Sequence, residues 1–380
     1  MEKYSEKNLL RVAKRYNNKK RSFLLVNPLQ AKHIPVAPSE SLKMMECLGD
    51  KLAKKYSDAR LVIAFAETAT AIGAVVAQKL SEKCVYITTT RENVDTVKEW
   101  VEFQEEHSHA VQQKLAADKL ESYINNTDCI IIVDDEFSTG KTLINIVNQL
   151  KEKYPAVKDK KLVAASVLNR VSDENNILLQ DNGISTEFLV KLENKDYVEM
   201  IDSVPVYAAE EIGDVPQYAN ADIFRVEWQE NARTGVSAVE YGEYCRNVAE
   251  RIYSHIAPQI NKKDRILVAG TEEFMYPAIV TGRIFEGKGF EVKTHSTTRS
   301  PIGVYKTEGY PVFNGFRLSS FYEHDRATYI YDTQKYDVII VVSDTTLIDT
   351  TAFSQLLCAF GADDTVKAFY INGGMNVQYI

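Results

Sequence analysis

Short apolar runs alternate with helical patterns along the first half of the chain. Uninterrupted aliphatic and β-branched runs are typical of strands that are buried on both faces of a parallel sheet. Such runs begin at Phe23, Leu61, Val85, Cys129, Lys161 and Ile184. Between them apolar residues recur at helical spacing, most clearly from Glu40 to Lys55. The pattern predicts an α/β domain in which strands and helices alternate around a mostly parallel sheet.

The second half of the chain repeats this outline. Its apolar runs at Ile266, Val292 and Val338 follow in the same order as those at Leu61, Val85 and Ile130. A Glu precedes an Arg by 24 residues in the first half (Glu67, Arg91) and by 27 in the second (Glu272, Arg299), and the Arg precedes an Asp by 43 (Asp134) and by 45 (Asp344). The similar spacings predict tandem Rossmann-like α/β units.

The regular pattern is interrupted between the two halves by two prolines, a glycine and scattered acids. We therefore predict a first domain at residues 1–203, a linker or elaboration at 204–231, and a second domain at 232–380. The second copy keeps a single acid, Asp344, and lacks the Ser-Thr-Gly-Lys-Thr turn after its third strand. We expect this copy to be a degenerate version of the first.

The strongest chemical signal is the stretch Cys129–Thr142. Its apolar run ends in two adjacent carboxylates, and a hydroxyl-rich turn then precedes a helical pattern. The turn consists of Ser138, Thr139, Gly140, Lys141 and Thr142. A turn of this kind binds phosphate because free backbone N–H groups and the helix dipole point at the same position. Asp134 and Asp135 repel each other unless a sugar or Mg²⁺ lies between them, so they are candidates to hold ribose hydroxyls and metal.

Two other interpretations of this stretch are open. Its Gly-Lys-Thr suggests a nucleoside-triphosphate P-loop, but that motif needs a glycine five residues before its Gly-Lys, where this chain has Asp135. The stretch could also be a buried strand with incidental acids. Glu136 adds a third negative charge whose role the sequence does not reveal.

Two further turns carry candidate chemistry. The first follows the strand at Leu61 and consists of Ala66, Glu67, Thr68, Ala69 and Thr70. Its backbone N–H groups could bind an anion, although a plain helix cap has the same composition. Arg91 ends the next strand. Glu106, His107 and His109 lie in a long connection, which is predicted as a lid, a solvated loop or a metal pair without a recognisable third ligand. Lys32 and His33 could line a pocket.

Composition excludes several classes of protein. A chain of 380 residues with 45% hydrophobic and 26% charged residues is ordinary for two globular domains. Five scattered cysteines indicate reduced core residues of a cytoplasmic protein, and no segment has the length of a membrane span or the pattern of a secretory signal. The formal charge of −8 argues against general nucleic-acid binding. Residues 1–22, with eight Lys and Arg against two Glu, form either a solvated basic helix or a face for an anionic substrate.

The stretch Cys129–Thr142 resembles the motif of type I phosphoribosyltransferases that binds phosphoribosyl pyrophosphate (PRPP). Both consist of apolar residues, then two acids, then a short Ser/Thr/Gly loop. The resemblance implies that Asp134 and Asp135 hold the ribose and, directly or through PRPP, Mg²⁺. It also implies that residues 138–142 hold the 5′-phosphate, that residues 66–70 and Arg91 hold pyrophosphate, and that the segment around Glu106, His107 and His109 closes over PRPP.

The resemblance extends to the second half. Thr298-Arg299-Ser300-Pro301 is the tetrapeptide for which the TRSP domain is named, and that domain follows an orotate-phosphoribosyltransferase-like domain in proteins of bacterial tellurium-resistance and stress-response gene clusters. Lys32-His-Ile-Pro and Glu106-His-Ser-His are also similar to this family. The turns of the second copy that correspond to residues 66–70 and Arg91 contain Thr271, Glu272, Thr298, Arg299 and Ser300. These residues are candidates either for an anion site or for helix caps and packing. Arg233 is a weaker phosphate or interface candidate.

The sequence thus predicts an Mg²⁺-dependent phosphoribosyltransferase that uses PRPP and a base-like acceptor, with Lys32 and His33 as candidate acceptor-binding residues. A non-catalytic PRPP- or nucleotide-binding regulator of a stress-response system and an interaction scaffold remain alternatives. We expect neither nucleic acid nor membrane as a partner. A homodimer and partners from a tellurium-resistance-type gene cluster are compatible with the resemblance.

Overall fold

A computed structural model describes residues 4–18, 22–103, 113–193, 195–218, 221–347 and 349–374. The chain divides into two compact units, neither of which is continuous in sequence. The first comprises residues 1–6, 43–194 and 230–243, and the second comprises residues 7–42, 195–229 and 244–380. The segment from residue 7 to 42 therefore groups with the second half of the chain.

The helices are α1 (Glu6–Leu9), α2 (Pro38–Tyr56), α3 (Thr70–Gln78), α4 (Leu120–Asn125), α5 (Lys141–Lys153), α6 (Asp173–Asp181), α7 (Tyr197–Asp202), α8 (Ala238–Ile256), α9 (Tyr276–Gly287) and α10 (Thr351–Ala359). The strands are β1 (Arg11–Lys14), β2 (Phe23–Val26), β3 (Leu61–Ala64), β4 (Val85–Thr88), β5 (Trp100–Phe103), β6 (Gln113–Ala116), β7 (Cys129–Phe137), β8 (Lys161–Asn169), β9 (Ile184–Lys191), β10 (Glu210–Glu211), β11 (Asp222–Arg225), β12 (Val236–Ser237), β13 (Arg265–Gly270), β14 (Glu291–Ser296), β15 (Gly315–Ser319), β16 (Ala327–Tyr331), β17 (Val338–Val342) and β18 (Lys367–Asn372).

A six-stranded sheet in the order β12-β4-β3-β7-β8-β9 forms the centre of the first unit. All neighbours are parallel except β12, which pairs antiparallel with β4. Every residue of β3 and the first five residues of β7 are buried, as the apolar runs predict. The chain places β4 and β7 on opposite sides of β3, so the strand order reverses there. Ligands in open α/β sheets bind at the carboxyl ends of strands at such a point.

The second unit repeats this strand order. Its five-stranded sheet runs β14-β13-β17-β18-β11, all parallel, and the first four strands follow the same order as β4-β3-β7-β8. Its fifth strand, β11, comes from the segment predicted as a linker or elaboration. The predicted fold class, tandem α/β units with mostly parallel sheets, is confirmed.

Each unit also carries an antiparallel hairpin between its second and third sheet strands. The hairpin β5–β6 is anchored in the first unit by a bridge between Thr90 and Lys114, and the hairpin β15–β16 is anchored in the second by a bridge between Thr298 and Tyr329. The equal positions of these bridges extend the internal repeat beyond the sheet. The sequence did not predict either hairpin.

Two regions differ from the sequence predictions. Residues 11–14 form β1, which pairs antiparallel with β2, so the predicted basic helix is wrong over this stretch. The buried Ala13 explains the strand, because it packs with apolar residues far along the chain, including Ile302 and Val312. The strand β7 also extends four residues beyond Val133 and includes the acidic cluster. No described helix has both the length and the apolar character to span a membrane.

Close packing of α3 on β3 requires Gly73. A Cβ atom at this position would lie 2.4 Å from the Ala64 Cβ and 3.0 Å from the Tyr86 ring. We predict that Gly73→Ala destabilises the first unit by about 1–3 kcal/mol, because the helix must move off the strand despite its better helix propensity. Urea unfolding measures the effect. Gly213→Ala is the control, since its Cβ would meet nothing within 4 Å, and an equal loss in both variants would contradict the packing argument.

Candidate functional site

The carboxyl ends of β3, β4 and β7 bring the first unit's predicted site residues to one edge of the sheet. The parallel register pairs Ala64 with both Thr88 and Val133, so the loop after β3 and the acids of β7 leave the sheet side by side. Contact between them is direct, because the Thr68 hydroxyl donates a 2.8 Å hydrogen bond to Oδ1 of Asp135. The predicted pyrophosphate turn and the predicted ribose carboxylates are therefore in contact at this edge.

The two adjacent aspartates are electrostatically strained in the absence of a ligand. The Asp135 backbone N–H donates to Oδ1 of Asp134 at 2.8 Å. Burial, the neighbouring Asp135 and the nearby Glu136 nevertheless raise the pKa of Asp134 well above its ordinary value. A cation or a hydroxyl donor in this position would relieve that penalty.

The hydroxyl-rich turn leads directly into α5. Gly140 has φ of 76° and immediately precedes the first residue of the helix, and its carbonyl accepts from the Ile144 N–H at 3.0 Å. A side chain at this residue would be strained by its left-handed backbone and would crowd Leu179, at 3.0 Å. The turn thus presents the first N–H groups of a thirteen-residue helix, as a phosphate site requires.

The loop after β3 is held by hydrogen bonds to the β4 side of the sheet. The Ala66 N–H donates to the Thr89 hydroxyl at 2.8 Å, and that hydroxyl in turn donates to the Gln113 side chain of β6. The Thr70 carbonyl accepts from the Tyr86 hydroxyl at 2.5 Å. Glu67 is buried within this loop, and the half-buried Arg91 follows Thr89 by two residues. The hairpin and the loop are therefore linked through one threonine.

Glu136 has a structural partner that the sequence did not indicate. Its carboxylate accepts from Nε of Arg170 at 2.6 Å, and Arg170 directly follows β8, the strand beside β7. Because side chains alternate along a strand, Glu136 lies on the same face as Asp134, which accounts for its effect on the pKa of that aspartate. Two strand ends that meet only in the folded sheet create this ion pair.

The carboxylates at this site suit a metal ion that the protein and a phosphorylated substrate would bind together. Among the described residues no group of three or more His, Cys, Asp and Glu could hold a metal ion by itself. Mg²⁺ is usually bound through one or two carboxylates together with water and substrate phosphates. Asp134 and Asp135 supply such a pair, so an Mg²⁺ ion held jointly with a phosphorylated substrate suits this site.

Other predicted residues lie elsewhere. Glu106, His107 and His109 fall outside the described residues. Lys32 and His33 belong to the second unit, where both are buried. Arg233 is buried in the first unit, next to β12, and its backbone N–H donates to the Asn231 side chain at 3.0 Å.

The candidate residues of the second unit form an ion-pair cluster. The buried Glu272 carboxylate contacts Nε of Arg299 at 2.6 Å and Nη2 of Arg326 at 2.9 Å, and it accepts from the Ser320 hydroxyl at 2.5 Å. The Glu272 N–H donates to the Thr297 hydroxyl at 3.0 Å, just as Ala66 donates to Thr89 in the first unit.

Strand register corrects the residue correspondence between the two copies. Gly270 pairs with Ser296 and Val342 in the way that Ala64 pairs with Thr88 and Val133. Counting from these pairs, the equivalent residues are Glu273 and Glu67, Arg299 and Arg91, and Asp344 and Asp135. The sequence comparison was therefore displaced by one residue when it paired Glu272 with Glu67 and Asp344 with Asp134. Three candidates remain. The Thr271 hydroxyl donates to the Ser343 hydroxyl at 3.0 Å, the Ser300 carbonyl accepts from the Tyr331 hydroxyl at 2.8 Å, and Thr298 forms an antiparallel bridge with Tyr329.

Two domain families match separate stretches of the chain. Residues 9–194 match the family described as "Phosphoribosyl transferase", and residues 230–360 match the "TRSP domain C terminus to PRTase_2". The chain therefore has a PRTase_2 domain followed by a TRSP domain, which confirms the resemblance seen in the sequence. No curated protein matches the chain.

Several solved phosphoribosyltransferase structures are distantly similar. The adenine phosphoribosyltransferase of Thermoanaerobacter pseudethanolicus is 14% identical, covers 49% of this chain and 97% of its own, and gives a TM-score of 0.35. Orotate phosphoribosyltransferase from Aeropyrum pernix is 13% identical, with coverages of 50% and 93% and a TM-score of 0.29. An adenine phosphoribosyl transferase from Trypanosoma brucei, in complex with AMP, pyrophosphate and ribose-5-phosphate, is 14% identical, with coverages of 41% and 68% and a TM-score of 0.29.

The raised pKa of Asp134 makes a prediction about stability. Because its folded-state pKa lies above the unfolded value, ionisation costs stability once the pH rises above the ordinary aspartate range. Asp134→Asn should therefore raise the melting temperature of the ligand-free protein at pH 7.5, and the gain should shrink as the pH falls toward 4.

Thermal melts across this pH range check the effect, with the exposed Asp95→Asn as a control. A loss of stability in Asp134→Asn at pH 7.5, or a gain that does not change with pH, would contradict the electrostatic account.

Proposed function

We propose that the first unit is an Mg²⁺-dependent phosphoribosyltransferase, which transfers the 5-phosphoribosyl group of PRPP to a nitrogen of a base-like acceptor and releases pyrophosphate. The observation that carries the proposal is the 2.8 Å hydrogen bond between Thr68 and Asp135. It joins an anion-binding loop to a pair of carboxylates, and the turn at Gly140 follows five residues after Asp135. A sugar with phosphates at both ends needs these three parts in this order.

The proposed roles follow from the charges that develop during transfer. The bond from the ribose anomeric carbon to pyrophosphate breaks, and pyrophosphate leaves with the bonding electrons. A bond from the acceptor nitrogen to that carbon forms, and the nitrogen loses its proton. N–H groups of residues 66–70 and Arg91 would stabilise the leaving pyrophosphate, and Asp134 and Asp135 would hold the hydroxyls of the cationic ribose.

The metal would act together with these residues. Mg²⁺ would neutralise negative charge on pyrophosphate, with Asp134 and Asp135 as its protein ligands, directly or through the ribose hydroxyls. In the absence of ligand the pKa of Asp134 is raised, so PRPP and Mg²⁺ would favour the ionised carboxylate and bind more weakly at low pH.

The acceptor and cellular context remain parts of the proposal. Lys32 and His33 were predicted as acceptor ligands, but both residues belong to the second unit, so the proposed transfer does not depend on them. We also propose a cytoplasmic location, which the scattered cysteines favour, and a homodimer. The family resemblance supports partners from a tellurium-resistance or stress-response gene cluster.

Calorimetry with PRPP tests the ribose carboxylates. We expect Mg²⁺-dependent binding to wild type, weakened about 10²- to 10⁴-fold in Asp134→Asn/Asp135→Asn, because each charged hydrogen bond is worth about 1.5–3 kcal/mol. Asp95→Asn should bind like wild type. Equal binding by the double variant would overturn the site assignment.

A screen of nitrogenous bases for pyrophosphate release then tests catalysis. PRPP binding without release from any acceptor would favour the non-catalytic regulator, and no PRPP binding by wild type would favour the scaffold.

Thr89 provides a test of the pyrophosphate loop. Thr89→Val removes the acceptor of the Ala66 N–H and the link to Gln113, so the loop should lose its orientation. We expect pyrophosphate release to fall about 10- to 100-fold. Thr89→Ser keeps the hydroxyl and should restore most of the rate. Equal rates in the Val and Ser variants would show that the hydroxyl has no positioning role.

A further inference from the structure

Two consecutive basic residues are buried in the second unit. Lys32 is fully buried, and its ammonium donates to the backbone carbonyls of Glu272 at 2.6 Å and Thr297 at 2.8 Å. His33 is 2% exposed. The loops after β13 and β14 therefore enclose a segment from the start of the chain at the carboxyl end of the second sheet.

His33 lacks the hydrogen bonds that a buried imidazole normally makes. Neither of its ring nitrogens has a hydrogen-bond partner within the described residues. His295, buried in the same unit, shows the usual pattern: its Nδ1 accepts from the Ser296 N–H at 2.8 Å, and its Nε2 lies 2.7 Å from the Tyr331 carbonyl. Buried polar groups are almost always bonded, so two such nitrogens on one ring indicate a missing partner.

The charges around His33 indicate the sign of that partner. Burial lowers the pKa of His33 well below its ordinary value, and Lys32, His295 and Arg15 lower it further. These named neighbours are all basic. The buried carboxylate of Glu272, in the ion-pair cluster, already contacts Arg299, Arg326 and Ser320. The potential at the ring is therefore positive, and an anion suits it better than a cation.

The Thr298–Pro301 tetrapeptide lies beside this basic cluster. Arg15 forms an antiparallel bridge with Ile302, directly after the tetrapeptide, and the Tyr331 hydroxyl donates to the Ser300 carbonyl at 2.8 Å. Tyr331 in turn accepts through its carbonyl from His295. Lys32 donates to the carbonyl of Thr297, directly before the tetrapeptide and 265 positions along the chain. The tetrapeptide is therefore flanked by contacts with two basic residues, Lys32 before it and Arg15 after it.

We propose that the second unit binds a small oxyanion of the phosphate class at His33, with Lys32 and Arg15 beside it. The anion accepts a hydrogen bond from the His33 ring and lies against the Thr298–Pro301 loop. The second unit has a single aspartate, Asp344, where the first has Asp134 and Asp135, and it lacks the Ser-Thr-Gly-Lys-Thr turn, so this site does not hold the ribose of PRPP. Free phosphate, pyrophosphate and the phosphate of a small metabolite share the required chemistry.

Nitrogen NMR of the full-length protein, labelled at its six histidines, tests the proposal at the ring itself. His33→Gln identifies the signal, and single variants of the other five histidines identify it by elimination if His33→Gln does not fold. Inorganic phosphate, pyrophosphate and ribose 5-phosphate are added separately, with chloride of equal ionic strength as the control. We expect the His33 nitrogens to shift and saturate with at least one of the three, and the ring to become easier to protonate.

Lys32→Met should weaken this response about 10- to 100-fold, because a charged hydrogen-bond donor is lost beside the anion, whereas the exposed Lys335→Met should not. A His33 signal that none of the three anions moves would overturn the proposal. So would a hydrogen-bonded nitrogen signal in anion-free protein, which would assign the missing partner to a buried water. Because the signal reports on His33 alone, the result does not depend on PRPP binding in the first unit.

Discussion

The parallel pairing of β3 with β7 is the constraint on which the candidate site depends. Its register places the ends of both strands at the same level, so the loop that follows Ala64 meets the acids that follow Val133. Neither segment could form the site alone, because one supplies backbone donors and the other supplies carboxylates. The buried aliphatic side chains of the two strands fix this register, since they belong to one hydrophobic core that extends to α5 and β8. The chemistry at the edge thus depends on packing inside the sheet.

The two units show how one framework accommodates opposite electrostatics. In the first, Asp134 and its acidic neighbours concentrate negative charge at the end of the third strand. In the second, the equivalent strand end keeps Asp344, whose carboxylate accepts from the Tyr322 hydroxyl at 2.6 Å, and Glu272 is neutralised by two arginines. In both units a threonine hydroxyl directly after the second strand, Thr89 or Thr297, accepts a hydrogen bond from a backbone N–H of the loop after the first strand. Backbone geometry is therefore retained where the side-chain chemistry has changed.

The sequence predicted those features that depend on local patterns. The apolar runs located β3, β7, β13 and β17 because strands buried on both faces leave an uninterrupted signal. The acidic pair and the glycine turn are contiguous and were equally visible. The hairpins are short and partly exposed, so their pattern is weak. The pairing of Glu136 with Arg170 and the burial of Lys32 depend on residues that are distant in sequence, and no local pattern reports such contacts.

The discontinuity of the second unit has a consequence for synthesis on the ribosome. Residues 7–42 leave the ribosome well before residues 302–312, yet Ala13 and Leu24 pack with Ile302, Tyr310 and Val312, and the Lys14 N–H donates to the Tyr310 hydroxyl across 296 positions. The apolar side chains of this segment therefore remain exposed until residues 302–312 have been translated. Nascent chains stalled before residue 300 would present that surface to chaperones, and a fragment that ends at residue 203 would carry it permanently.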